Sequence, residues 1–179
     1  MDQRTDFNKS DKSMLTGMFS DRESTERAYK TLHERGYSKD DINLVMSDEA
    51  RKKHFSEGAE TEIGTKAAEG AGKGSAIGGT VGAVVGVIAA LGTSLVVPGL
   101  GLVIAGPIAA GLAGAGAGGI TGGVIGALVG SGIPEERAKL YESGIKKGNI
   151  VMGVNLHNDE DADYLEQDWK SNRAEEVYH

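Results

Sequence analysis

Small residues recur at every fourth position in two series within a tract from about Gly70 to Gly132 that carries no charge beyond Lys73, and no other feature restricts the folding of this chain as strongly. One series runs Gly70, Gly74, Gly78, Gly82, Gly86 and Ala90; a second runs Gly106, Ala110, Gly114, Gly118, Gly122, Gly126 and Gly130. Residues four apart stack on one helix face, so each series predicts a groove along a helix and not a strand. A glycine inside a helix costs about 1 kcal/mol relative to alanine, so five or six cost roughly 5 kcal/mol per helix. Close backbone approach is the compensation such rows offer, in lipid or in a tight bundle, with right-handed crossings near about −40 to −50°. The natural partner of each row is the other.

Charge is segregated around this tract. The net charge is -7, yet every charged residue lies at or before Lys73 or at or after Glu135. The 28 glycines follow no G-X-Y period, so they do not make a collagen. The absence of cysteine removes disulfides, thiol catalysis and thiolate metal sites and suits a reducing cytosol. The N-terminus has no apolar h-region of a secretory signal.

The flanks read as elements of a small head. Met14 to Phe19 (MLTGMF) predicts a strand, Ser20 with Glu23 a capping box, and Asp21 to Arg35 a helix ended by Gly36, with Ala28 and Leu32 inward. Ile42 to Met46 predicts a second strand, and Asp48 to His54 a helical turn. Past the tract, Pro134 at the first helical position and Glu135-Glu136 start a helix that ends at Gly148. Asn149 to Leu156 predicts a third strand, and Asn158 caps a last helix carrying Ala162, Leu165 and Trp169.

Between them, one tract helix is predicted from about Thr65 to Leu91 and another from Pro107 to Gly130, each at least about 36 Å long at ~1.5 Å per residue. That suffices to cross a hydrocarbon core of about 30 Å. Leu95 to Ala105 would be an apolar tip. The predicted fold class is therefore mixed α+β/α/β: a small three-stranded α/β head (β-α-β … α-β-α) interrupted by a long glycine-zipper α-helical hairpin. Its parts are a disordered tail (1–13), the first half of the head (14–64), the hairpin (65–132), the second half of the head (133–171) and a polar tail (172–179).

The order of these signals resembles the heat-induced general stress protein family (YflT-type) of bacteria. The residues that carry the resemblance are Asp21 to Ser24, Ala28-Tyr29, Arg35 to Ile42 and Gly132 to Glu142, and it covers about Met14 to Trp169. It implies induction under stress and a bacterial, cytosolic or membrane-associated setting; it supplies no catalytic residues.

Direct chemical signals are few. Gly72-Lys73-Gly74-Ser75 lacks the hydroxyl residue a P-loop needs after its lysine, and Gly72, Gly74 and Gly78 miss the dinucleotide spacing. His33, His54, His157 and His179 share no element and read as solvated, so no metal site is expected. The acids of Asp159 to Asp163 read as helix-start charges, and Arg51-Lys52-Lys53-His54 is a short basic run in an acidic chain, which disfavours nucleic acid.

No enzyme, cofactor or metal is therefore expected. The expected function is self-association through Gly70, Gly74, Gly78, Gly82, Gly86, Gly114, Gly118, Gly122, Gly126 and Gly130. The first version is a homo-oligomer associated with the plasma (inner) membrane from the cytoplasmic side, with a cytosolic head. Lys66, Lys73, Arg137, Lys139, Lys146 and Lys147 would hold both ends of the hairpin in the cytoplasm. The alternatives are a soluble homo-oligomer or filament built on packed hairpins, and a ligand-sensing regulatory module.

Overall fold

The computed structural model describes residues 14–55, 95–97, 101–109 and 123–179. In chain order these form β1 (Met14–Phe19), α1 (Arg22–Glu34), β2 (Ile42–Ser47), α2 (Asp48–Phe55), β3 (Leu95–Val97), β4 (Leu102–Ala105), α3 (Gly123–Gly130), α4 (Glu135–Lys146), β5 (Ile150–Asn155), α5 (Asp159–Ser171) and β6 (Glu175–Tyr178). The strands make one six-stranded sheet in the order β3-β4-β2-β5-β1-β6, with every neighbouring pair antiparallel. β1 and β2 therefore run parallel with β5 between them, a split β-α-β unit.

Strand alternation distributes the apolar side chains to two cores. Leu15, Phe19, Leu44, Met46, Val103, Ala105, Ile150, Met152 and Val154 point to one face, where Ala28, Tyr29 and Leu32 of α1, Ala50 and Phe55 of α2, and Ala162, Leu165 and Trp169 of α5 cover them. Met18, Val45, Leu102, Ile104 and Val151 point to the other, against Val124, Ala127 and Leu128 of α3 and Ala138, Tyr141 and Ile145 of α4. With helices on both faces, the inner strands read as nearly unbroken apolar runs. Gly17 is where Trp169 needs room: a Cβ there would lie 2.8 Å from Trp169 Cε3.

Local punctuation follows the sequence closely. Gly36, Gly132 and Gly148 have φ of 86°, 92° and 92°. Each closes a helix with the paired bonds of a Schellman turn, as where Tyr37 N–H donates to Leu32 O at 3.0 Å and Gly36 N–H to His33 O at 3.0 Å. Asn158 caps α5 as expected, accepting from Asp161 N–H at 2.9 Å. The cap of α1 is Asp21 in place of Ser20: the Asp21 carboxylate accepts from Ser24 N–H at 2.8 Å, and a carboxylate suits a helix N-terminus better than a hydroxyl does. Pro134 is the N-cap of α4 and not its first helical residue.

Three larger expectations change. Among the described residues the sheet has six strands instead of three, because Leu95–Val97 and Leu102–Ala105, expected in an apolar tip, join it. These segments are β3 and β4, and β4 pairs with β2 from Leu44↔Ala105 to Ser47↔Leu102. The predicted continuous helix from Pro107 to Gly130 is interrupted at Gly123, whose φ of 65° lies outside right-handed helix. The expected polar tail contains β6, which pairs with β1 across a bulge where Glu176 has φ of 53°. The predicted helix from Thr65 to Leu91, the stretch 110–122, the sequence 1–13, and Gly70, Gly74, Gly78, Gly82, Gly86, Gly114, Gly118 and Gly122 lie outside the described residues. No helix among the described residues is long and apolar enough to cross a membrane.

Candidate functional site

The densest meeting of ionisable groups lies where the α1–β2 turn faces the β5–α5 turn. Asp161, 5 % exposed, is its centre. Arg35 Nε donates to Asp161 Oδ1 at 2.8 Å and Arg35 Nη2 donates to the same oxygen. Tyr37 Oη donates to Oδ2 at 2.7 Å, and Asn158 Nδ2 donates to it at 3.0 Å. Each carboxylate oxygen thus accepts two bonds. Tyr37 in turn accepts from His157 N–H at 3.2 Å, and its ring stacks on His157 at 4.2 Å between centroids. His157 Nε2 lies 3.1 Å from Asp41 Oδ1, while Ser38 N–H and Oγ–H donate to Asp41 Oδ2 at 2.9 and 2.8 Å. The Arg35 guanidinium also covers the ring of Tyr164, 4.2 Å from its centroid.

The electrostatics follow from these contacts. Burial alone would raise the Asp161 carboxyl, but the Tyr37 hydroxyl and the Arg35 guanidinium outweigh it and hold the group below its usual value. Burial pushes the Tyr37 hydroxyl up to about 12, aided by the neighbouring Asp161 charge. Asp41 is likewise held low: Ser38 and His157 outweigh the effect of its burial. A saturated carboxylate and a firmly protonated tyrosine make a clamp that joins two turns. Neither is a base or a nucleophile at neutral pH.

The histidines are less uniform than the sequence implied. His33 and His157 are both exposed, as expected, but His157 also takes part in the clamp. His54 has a buried Nε2 with no partner among the described residues, and burial lowers its pKa, helped by Lys53. His179 comes together with Asp163 and Glu166, with ligand atoms within 4.8 Å of one another. That trio lies at the surface and Lys170 pairs with Glu166, so lysine already supplies the positive charge. Two residues of the basic run on α2 are similarly matched, since Arg51 Nη2 and Lys52 Nζ lie 2.9 and 2.6 Å from Asp48.

Of the glycines assigned to self-association, Gly126 and Gly130 are described, both on α3. Gly126 is half-buried; Gly130 is exposed, and a Cβ on Gly130 would have nothing within 4 Å. The clamp was not foreseen, although Asp161 precedes Leu165 by four residues and so shares the inward face of α5. No family model, curated protein or solved structure matches the chain.

Proposed function

We propose that this protein is a non-enzymatic bacterial stress-response protein that assembles with copies of itself through its glycine series, the α/β unit acting as the scaffold that presents them. The observation that carries this reading is α3. Its sequence, GVIGALVG, has no polar side chain, yet Val129 is 41 % exposed and Gly126 and Gly130 lie four apart. A helix on the surface of a lone soluble domain carries charge on its outer side. An uncharged one is suited to a neighbour. The saturated clamp supports the non-enzymatic part, and the resemblance to heat-induced general stress proteins supports the setting.

The same surface would suit a bilayer approached from the cytoplasmic side. Packing between copies ranks first, because a hairpin that carried Leu95 to Ala105 through a membrane would have to break the pairing of β4 with β2. The test is particle size by light scattering for the full chain and for Gly82→Leu and Gly118→Leu. The expected result is a large soluble particle that both substitutions reduce. Unchanged size in both variants overturns the reading, and membranes that retain the protein through carbonate washing move the association to lipid.

A further inference from the structure

We propose that copies of this chain exchange their β3–β4 hairpins, each hairpin completing the sheet of a neighbour. The inference rests on the self-association proposed above and specifies how it joins the heads.

Residues 101–109 dock on β2 through contacts that do not depend on which chain supplies them. β4 pairs antiparallel with β2, and Asp48 N–H donates to Gly101 O at 2.7 Å. Val103 and Ala105 fill one core while Leu102, Ile104 and Ile108 fill the other. Asn43, 1 % exposed, accepts from Ile108 N–H at 2.9 Å. Gly106, with φ of 98°, passes so close to β2 that a Cβ would lie 2.2 Å from Ile42 O. This is the fit of an added strand, with the backbone ladder giving affinity and the side-chain pockets giving register.

The covalent connection, by contrast, is remote. An antiparallel pair can be closed by about two residues, yet residues 48–101 separate β4 from β2. The entropy of closing a loop grows with its length, so the tether favours the chain's own hairpin less than a tight turn would. The hairpin also lies between the two period-four series, Gly70 to Gly86 before it and Gly114 to Gly130 after it. Copies that associate, as proposed above, raise the effective concentration of a neighbour's hairpin.

Cysteine pairs test this directly, because the chain has no cysteine of its own. Met46 faces Val103 across β2 and β4, and Val45 faces Ile104. Adjacent antiparallel pairs alternate between the hydrogen-bonded and the closer non-hydrogen-bonded kind, so one of these two suits a disulfide. Full-length M46C and V103C are unfolded together, refolded and oxidised. Exchange predicts a mixed disulfide of twice the chain mass, at several times the yield from either variant alone. V45C with I104C repeats the experiment on the opposite face, and each double variant reports through its own crosslink that the fold has formed. If the double variants crosslink only within one chain while light scattering still finds oligomers, exchange is wrong and self-association stands. Monomers with intrachain crosslinks alone overturn both.

Discussion

The hydroxyl of Tyr37 donates to the carboxylate of Asp161 at 2.7 Å, joining the residue that follows the α1 Schellman glycine to the first turn of α5. Tyr37→Phe leaves Oδ2 with Asn158 alone and is expected to cost about 1–2 kcal/mol, whereas Asp161→Asn, which also strips Arg35 of its counter-charge, costs about 2–3 kcal/mol. The double variant should cost less than the sum by about 1 kcal/mol, since both act on one network. Urea unfolding of the four proteins measures this, and simple additivity would show that the two residues do not act together.

Acid should loosen the same joint. Asp161 and Asp41 have folded-state pKa values held below the usual range, so their contribution is complete above the unfolded value and lost as the pH falls through the folded one. Asp168 acts oppositely. Burial, with the Glu34 charge nearby, raises it against hydrogen bonds from Thr31 and Asn172, so its contribution is present at low pH and lost as the pH rises through the raised value. Urea midpoints of the native chain should fall as the pH drops below about 4. Asp161→Asn should flatten that fall, and an equally steep fall in this variant would assign it to other carboxyls.

Two glycines of one sequence series should respond in opposite ways. Gly106→Ala forces a Cβ against Ile42 O in a left-handed conformation, and a loss above about 3 kcal/mol is expected. Gly130→Ala places its methyl in open space at the end of α3, and a gain of up to about 1 kcal/mol follows from helix propensity. Thermal unfolding compares the two, and similar shifts would contradict the separate roles.

Tyr141 fastens the last strand. Its hydroxyl, fully buried, lies 2.8 Å from both Thr16 Oγ1 and Glu176 O, and burial raises its pKa. Tyr141→Phe is expected to cost about 1 kcal/mol. Hydrogen exchange should accelerate at Glu175–Tyr178 while β5 keeps its protection; a uniform change across the sheet would refute a local fastening.

The elements legible in the sequence are those whose determinants lie within a few residues of one another. Gly36 and Gly148 marked helix ends because only a residue without Cβ enters the left-handed region freely. Asn158 marked a cap, and the spacing of Ala162, Leu165 and Trp169 marked a buried face. Asp161 was misread as a dipole charge because its partners, Arg35 and Tyr37, are distant in sequence. His157 is exposed as expected, but its stacking on Tyr37 was not foreseen, for the same reason.

By itself, then, the sequence determined the order and type of the elements from Met14 to Phe55 and from Glu135 to Ser171, several of their ends, and the segregation of charge from glycine. Tertiary structure alone decided that Leu95–Val97 and Leu102–Ala105 are sheet, that β5 divides β1 from β2, and that Glu175–Tyr178 closes the far edge. The physical reason is that a short apolar run satisfies its backbone groups only by pairing, and which strand it finds depends on surfaces contributed by the whole chain.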